Sequence, residues 1–162
     1  MSRPNILVLI TDQQRADHLG CAGNPVLRTP NIDRIAADGV RFSRAYVNCP
    51  LCEPARATLF TGRTPRGHGV RTNGIPLDPE LPTLTGALLQ AGYHTHAIGK
   101  LHLNTFQNVT GLSVEDMDPA QFPEAMELWQ AGRITRLPSP YYGIATSDYI
   151  GGHGPYQFGD YI

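Results

Sequence analysis

Residues 5–11, NILVLIT, form an uninterrupted apolar run, and no other stretch constrains the fold as strongly. A strand covered on one face alternates apolar and polar side chains. One covered on both faces is apolar throughout, as in the parallel sheets of α/β proteins. The run therefore predicts a buried strand, with Asp12 at its carboxyl end. Open α/β sheets hold ligands in the crevice beyond the carboxyl ends of their strands, so a carboxylate there is well placed for function.

The segments that follow supply helices and further strands. In TPNIDRIAADG, residues 29–39, Thr29 can cap, Pro30 suits the first helical position, Ile32, Ile35 and Ala36 share a face, and Gly39 can terminate. Residues 40–47, VRFSRAYV, have the β-branched and aromatic content of a strand. PARATLFTG reads as a helix from Pro54 to Gly62, with Cys52 at or just before its first turn. PTLTGALLQAG is a further helix, with Leu84, Ala87, Leu88 and Ala91 on one stripe and Gly92 at the stop, and it leads into the strand-like YHTHAIG. Asp118-Pro119 opens a helix expected to run through Met126 and Trp129, and residues 141–150 hold another strand. Strand, helix and strand in that order imply crossover units. The predicted fold class is α/β, a largely parallel sheet with helices on both faces.

Size and charge narrow the partners. The 162 residues, 41% hydrophobic and 17% charged, suffice for one core and predict one domain or part of one. A net charge of -1 argues against a general nucleic-acid-binding role, which needs an excess of Lys and Arg on one face, and leaves a small molecule as the expected partner. The opening apolar run is too short for a signal-peptide core or a membrane span, so a cytoplasmic protein with no membrane partner is expected. Cys21, Cys49 and Cys52 are an odd set without an export signal, which points to a reactive thiol rather than a disulfide framework.

The chemistry concentrates in residues 51–63, LCEPARATLFTGR. Cys52 precedes a helix whose unpaired N–H groups and positive dipole end attract an anion. Arg56 follows one turn later and can aim its guanidinium at the same anion, with Pro54 fixing the turn between them. These features describe a nucleophile in an oxyanion-binding pocket. The C-P-L-C of Cys49 and Cys52 also admits a redox pair or half a zinc site, but no second pair completes the zinc set, and redox chemistry leaves the Pro-Ala-Arg run unexplained.

The run C-E-P-A-R-A-T-L-F-T-G-R resembles the signature of the type I sulfatases, Cys-x-Pro-x-Arg followed by Thr-Gly. Three further segments resemble family elements in the expected order: Asp12-Gln13 the first metal-binding pair, residues 29–42 the segment between, and G-K-L-H at 99–102 the Lys-x-His element. The resemblance implies that residues 1–162 are the N-terminal part of a sulfatase catalytic domain whose C-terminal remainder is absent, a truncation also suggested by the GDYI ending. It further implies that a formylglycine-generating enzyme oxidises Cys52 to the aldehyde during maturation. One hydroxyl of the hydrated aldehyde would attack the sulfur of a small-molecule sulfate ester and displace its alcohol or amine, and collapse through the other would eliminate sulfate and regenerate the aldehyde. Asp12, Gln13 and the modified Cys52 would bind a divalent cation, most often calcium in the family, with manganese and magnesium as alternatives. Arg56 and Lys100 would compensate charge, and His102 would bind the anion or assist proton transfer. Asn73, in R-T-N-G, is a further candidate for approaching the substrate.

Departures from the family pattern leave alternatives. Gln13 stands where many sulfatases have a second Asp, which lowers the negative charge of the site and leans toward a phosphonate monoester or phosphodiester hydrolase of the same superfamily. Lys100 and His102 lean back toward a sulfatase. Ala55 replaces a common Ser, a change that should be tolerated. The family's later metal ligands and acid lie beyond residue 162, so a catalytically silent fragment is a third reading. Cys21 is expected in the core, His68 and His153 in structural roles, and His94 and His96 as packing or edge residues of a strand.

Overall fold

The computed structural model describes residues 3–107 and 111–151, which divide into two compact units, 1–46 and 47–162. Among the described residues no helix is long and apolar enough to cross a membrane.

The first unit is organised by helix α1, Pro30–Asp38, with Thr29 as N-cap, Pro30 at its first position and Gly39 as C-cap, matching the punctuation of the sequence. A short 3₁₀ turn at Gly20–Ala22 is tied to the start of this helix. The Gly20 N–H donates to Thr29 Oγ1 at 2.8 Å, the Cys21 N–H to Asp33 Oδ1 at 2.7 Å, and the Thr29 hydroxyl to the same carboxylate oxygen at 2.8 Å. The expected strands at 5–11 and 40–47 do not form within this unit. An apolar run becomes a strand only where neighbours accept its backbone N–H and C=O groups, and this unit supplies no such ladder.

The second unit carries α2 (Cys52–Thr61), α3 (Pro65–His68), α4 (Leu84–Gln90), β1 (His96–Gly99), α5 (Met126–Gln130) and β2 (Thr146–Tyr149). Gly62, at φ 67°, ends α2 and donates its N–H to the Thr58 carbonyl. Thr83 caps α4 by accepting the Gly86 N–H. Strands β1 and β2 pair in parallel, His96 opposite Thr146 and Gly99 opposite Tyr149. Parallel pairing with helices between the strands makes the class α/β. The helix expected from Asp118 shortens to α5, because Pro123 has no N–H to donate and biases Phe122 away from helical geometry. Among the described residues three apolar clusters form the core. Ala57, Val70, Leu77 and Leu103 join α2 to the segment after β1. Leu101, Leu137, Tyr141 and Ile144 back that segment from the other side, and Met117, Ala125, Leu128 and Ile134 surround α5.

Candidate functional site

Cys52 is the first residue of α2, with Leu51 extended before it as N-cap. A helix start presents unsatisfied N–H groups and the positive end of the dipole. The sequence removes two of those donors from competition. Pro54 has none, and the Glu53 N–H donates to Asn73 Oδ1 at 3.1 Å. Asn73 thus caps α2 from a remote turn and places that turn beside the Cys52 end of the helix.

Glu53, which the motif leaves open as an arbitrary residue, is completely buried. Its Oε2 accepts the Gly74 N–H at 2.5 Å and lies 3.7 Å from His102 Nε2. Its Oε1 is buried with no hydrogen-bond partner among the described residues. Burial pushes the Glu53 carboxyl up to about 7, the Gly74 N–H pulls it back, and the charge of Glu124 adds to the rise.

Arg56, one turn after Cys52, donates from Nη1 to the Lys100 carbonyl at 2.6 Å. This bond joins α2 to the residues that leave β1, where Lys100 and His102 are half-buried. His102 has a left-handed backbone, φ 53°, which costs a non-glycine residue about 1 kcal/mol or more and persists only where the surroundings over-determine it. The surroundings here include the buried carboxyl of Glu124, which accepts the His102 N–H at 2.7 Å. Cys52, Arg56, Asn73, Lys100 and His102 therefore belong to one unit, and hydrogen bonds connect the elements that carry them.

Asp12 and Gln13 belong to the first unit. Gln13 also has a left-handed backbone, φ 52°. A carboxylate next to an amide oxygen is a hard donor set and suits a divalent cation such as calcium or magnesium. Among the described residues, no group of three or more His, Cys, Asp and Glu side chains is gathered for a metal.

The other singled-out residues hold the frame. His68 is buried, and its Nδ1 accepts the Val70 N–H at 3.2 Å. Geometry then assigns the proton to Nε2, which faces Thr58 Oγ1 at 3.0 Å. Burial lowers its pKa, so the neutral ring pins α3 to α2. His94 and His96 both meet Thr146 Oγ1 on the paired strand, at 3.1 and 2.7 Å, and His96 Nε2 is 3.3 Å from Asp148. All three cysteines are free. His153 lies outside the described residues. Sequence reasoning missed Glu53 and Glu124, since an isolated carboxylate defaults to the surface and no local pattern signals its burial.

The α/β fold thus sets a cysteine at a helix start, ties an arginine of that helix to a Lys-x-His segment, and caps the same helix with a remote Asn. The chain belongs to the Sulfatase family, whose model matches residues 4–145. It is 38% identical to an arylsulfatase of Clostridium perfringens over 67% of this chain and 23% of that one. Among solved structures it resembles one in complex with its substrate D-glucosamine-2-N,6-O-disulfate, with TM-score 0.61, 38% identity, and coverage of 63% of this chain and 21% of that one. It also resembles a phosphonate monoester hydrolase of Agrobacterium radiobacter, with TM-score 0.56, 37% identity, and coverage of 72% and 22%. The chain spans about a fifth of the length of the curated relatives it matches.

Proposed function

We propose that this chain carries the nucleophile-bearing part of a sulfuric-ester hydrolase acting on a small organic sulfate. The observation that carries the reading is the 2.6 Å bond from Arg56 to the Lys100 carbonyl, which ties the helix starting at Cys52 to the Lys100–His102 segment within a Sulfatase-family chain. Cys52 is the nucleophile position, and conversion to formylglycine supplies a hydrated aldehyde whose hydroxyl can attack sulfur. A formylglycine-generating enzyme is the maturation partner.

The chain's own residues set up the transfer. The positive end of α2 and the Arg56 guanidinium favour negative charge beside residue 52. Arg56 spends one N–H on the Lys100 carbonyl, which fixes the fork instead of leaving it to sample rotamers. Lys100 brings a second positive charge to the sulfate oxygens, where preorganised charge stabilises the transition state. The His102 ring, 3.7 Å from Glu53, is held where it binds the anion or passes a proton to the leaving oxygen. Asp12 and Gln13 would hold a divalent cation, calcium by preference, which when bound supplies positive charge and Lewis acidity. Asn73 approaches the substrate from the turn that caps α2.

The likeness to the phosphonate monoester hydrolase, together with Gln13, supports a second reading in which the ester is a phosphonate or phosphodiester. Mass spectrometry of the Cys52 peptide, from protein co-expressed with a formylglycine-generating enzyme, tests the nucleophile. A loss of about 18 Da is expected. An unmodified thiol under those conditions rejects the formylglycine reading. Turnover of an aryl sulfate against an aryl phosphonate by the modified enzyme decides between the two esters.

A further inference from the structure

Glu124 lies outside every motif, in the turn before α5, yet it is completely buried and accepts five hydrogen bonds among the described residues. Its Oε2 accepts the His102 N–H at 2.7 Å and the Tyr149 hydroxyl at 3.0 Å. Its Oε1 accepts the Leu103 N–H at 2.9 Å, the Asn104 N–H at 3.2 Å and the Tyr141 hydroxyl at 2.8 Å. Three consecutive backbone N–H groups point at one carboxyl only if the chain curls around it, and His102 takes a left-handed backbone to do so.

Burying a carboxyl is costly, and burial pushes Glu124 up while the backbone and phenol donors pull it back. A turn needing only an anchor could use a backbone carbonyl at lower cost. A carboxylate differs in having acceptor sites on two oxygens and no donor to satisfy, so it can hold all three N–H groups and both phenols together. The group so held is the segment between Lys100 and Asn104, whose upstream end is bonded to Arg56 and whose His102 ring faces Glu53.

We propose that Glu124 is a positioning residue for the reaction: by gripping the backbone of His102, Leu103 and Asn104 it sets where the His102 ring stands relative to the first turn of α2. This rests on the proposed hydrolase reading, in which His102 acts at the transferring group. Tyr141 and Tyr149 complete the device by orienting the carboxyl from β2 and the turn before it.

The test is a double-mutant cycle in the full-length, formylglycine-bearing enzyme with an aryl sulfate. Glu124→Gln keeps the shape but turns an amide NH₂ toward a backbone N–H, whichever way it is placed. Glu124→Gln is expected to lower kcat by about 30-fold or more with KM changed less than about threefold, and His102→Ala to lower kcat at least as far. In the His102→Ala background, Glu124→Gln should cost less than about threefold, because the group it positions is gone. Losses that multiply, or an unchanged kcat in Glu124→Gln, overturn the positioning role and leave the hydrolase reading standing. Full activity in His102→Ala overturns the reading of His102 and the proposal with it, while the aldehyde at residue 52 still reports the nucleophile independently. If Glu124→Gln does not fold, Tyr149→Phe removes one of the two phenols that orient the carboxyl and so loosens its grip on the three N–H groups. A kcat loss of about threefold to tenfold that vanishes in the His102→Ala background supports the proposal, and an unchanged kcat overturns it.

Discussion

Glu53 shows how far a single residue can depart from its default. It sits beside the nucleophile position, completely buried, with its carboxyl raised to about 7 from an ordinary 4.5. Between those values the folded protein keeps a proton that the unfolded chain has lost, so stability is full below the lower value and falls as pH rises through the upper one. The loss from this group is at most about 3 kcal/mol. Glu124 is raised in the same direction, so Glu53→Gln should flatten the decline without abolishing it. Urea midpoints measured from acid to neutral pH check this, and an unchanged slope in Glu53→Gln would contradict the shift. His68 acts in the opposite sense. Its pKa is lowered by burial, so its contribution is present above the usual histidine range and is lost as pH falls below it.

At the scale of elements, the docking of α4 against the turn before β2 holds the parallel pair in register. The Thr85 hydroxyl donates to the Tyr142 carbonyl at 2.5 Å, and the Thr95 hydroxyl to the Gly143 carbonyl at 2.7 Å. Gly143 has φ 79°, and a Cβ there would collide with the backbone N and Cα of Gly86 in α4. Both the conformation and the approach require glycine. Gly143→Ala is therefore expected to destabilise the protein by about 2–3 kcal/mol, read as a lower denaturant midpoint at unchanged slope. A shift under about 0.5 kcal/mol would mean the contact is not needed. Because the same turn presents Tyr141 to Glu124, activity should fall as well when the substitution lets the turn move.

For the whole molecule, stability follows the distribution of buried apolar surface. The second unit holds the clusters around Leu77, Leu101 and Leu128, whereas α1 of the first unit has no buried residue. In the 162-residue chain, backbone amides of β1, β2 and residues 101–104 should exchange slowest with solvent and those of 5–11 fast, as hydrogen-exchange mass spectrometry would read. Slow exchange at 5–11 would show a ladder there after all. The sequence by itself determined the helices whose ends are punctuated locally: α1 by Pro30 and Gly39, α2 by Gly62, α4 by Thr83. It also determined the Cys-x-Pro-x-Arg and Lys-x-His segments, because their chemistry is written in neighbouring residues. It failed at 5–11 and 40–47, where apolar content signals a strand that only pairing partners can complete, and at the shortened α5, where Pro123 overrode the pattern. Tertiary structure alone decided that Asn73 caps α2, that Glu53 is buried against His102, and that Glu124 gathers the Lys100–Asn104 turn. Each of these joins residues twenty or more positions apart, and a buried carboxylate is stable only where folding brings its donors together, which no local pattern records.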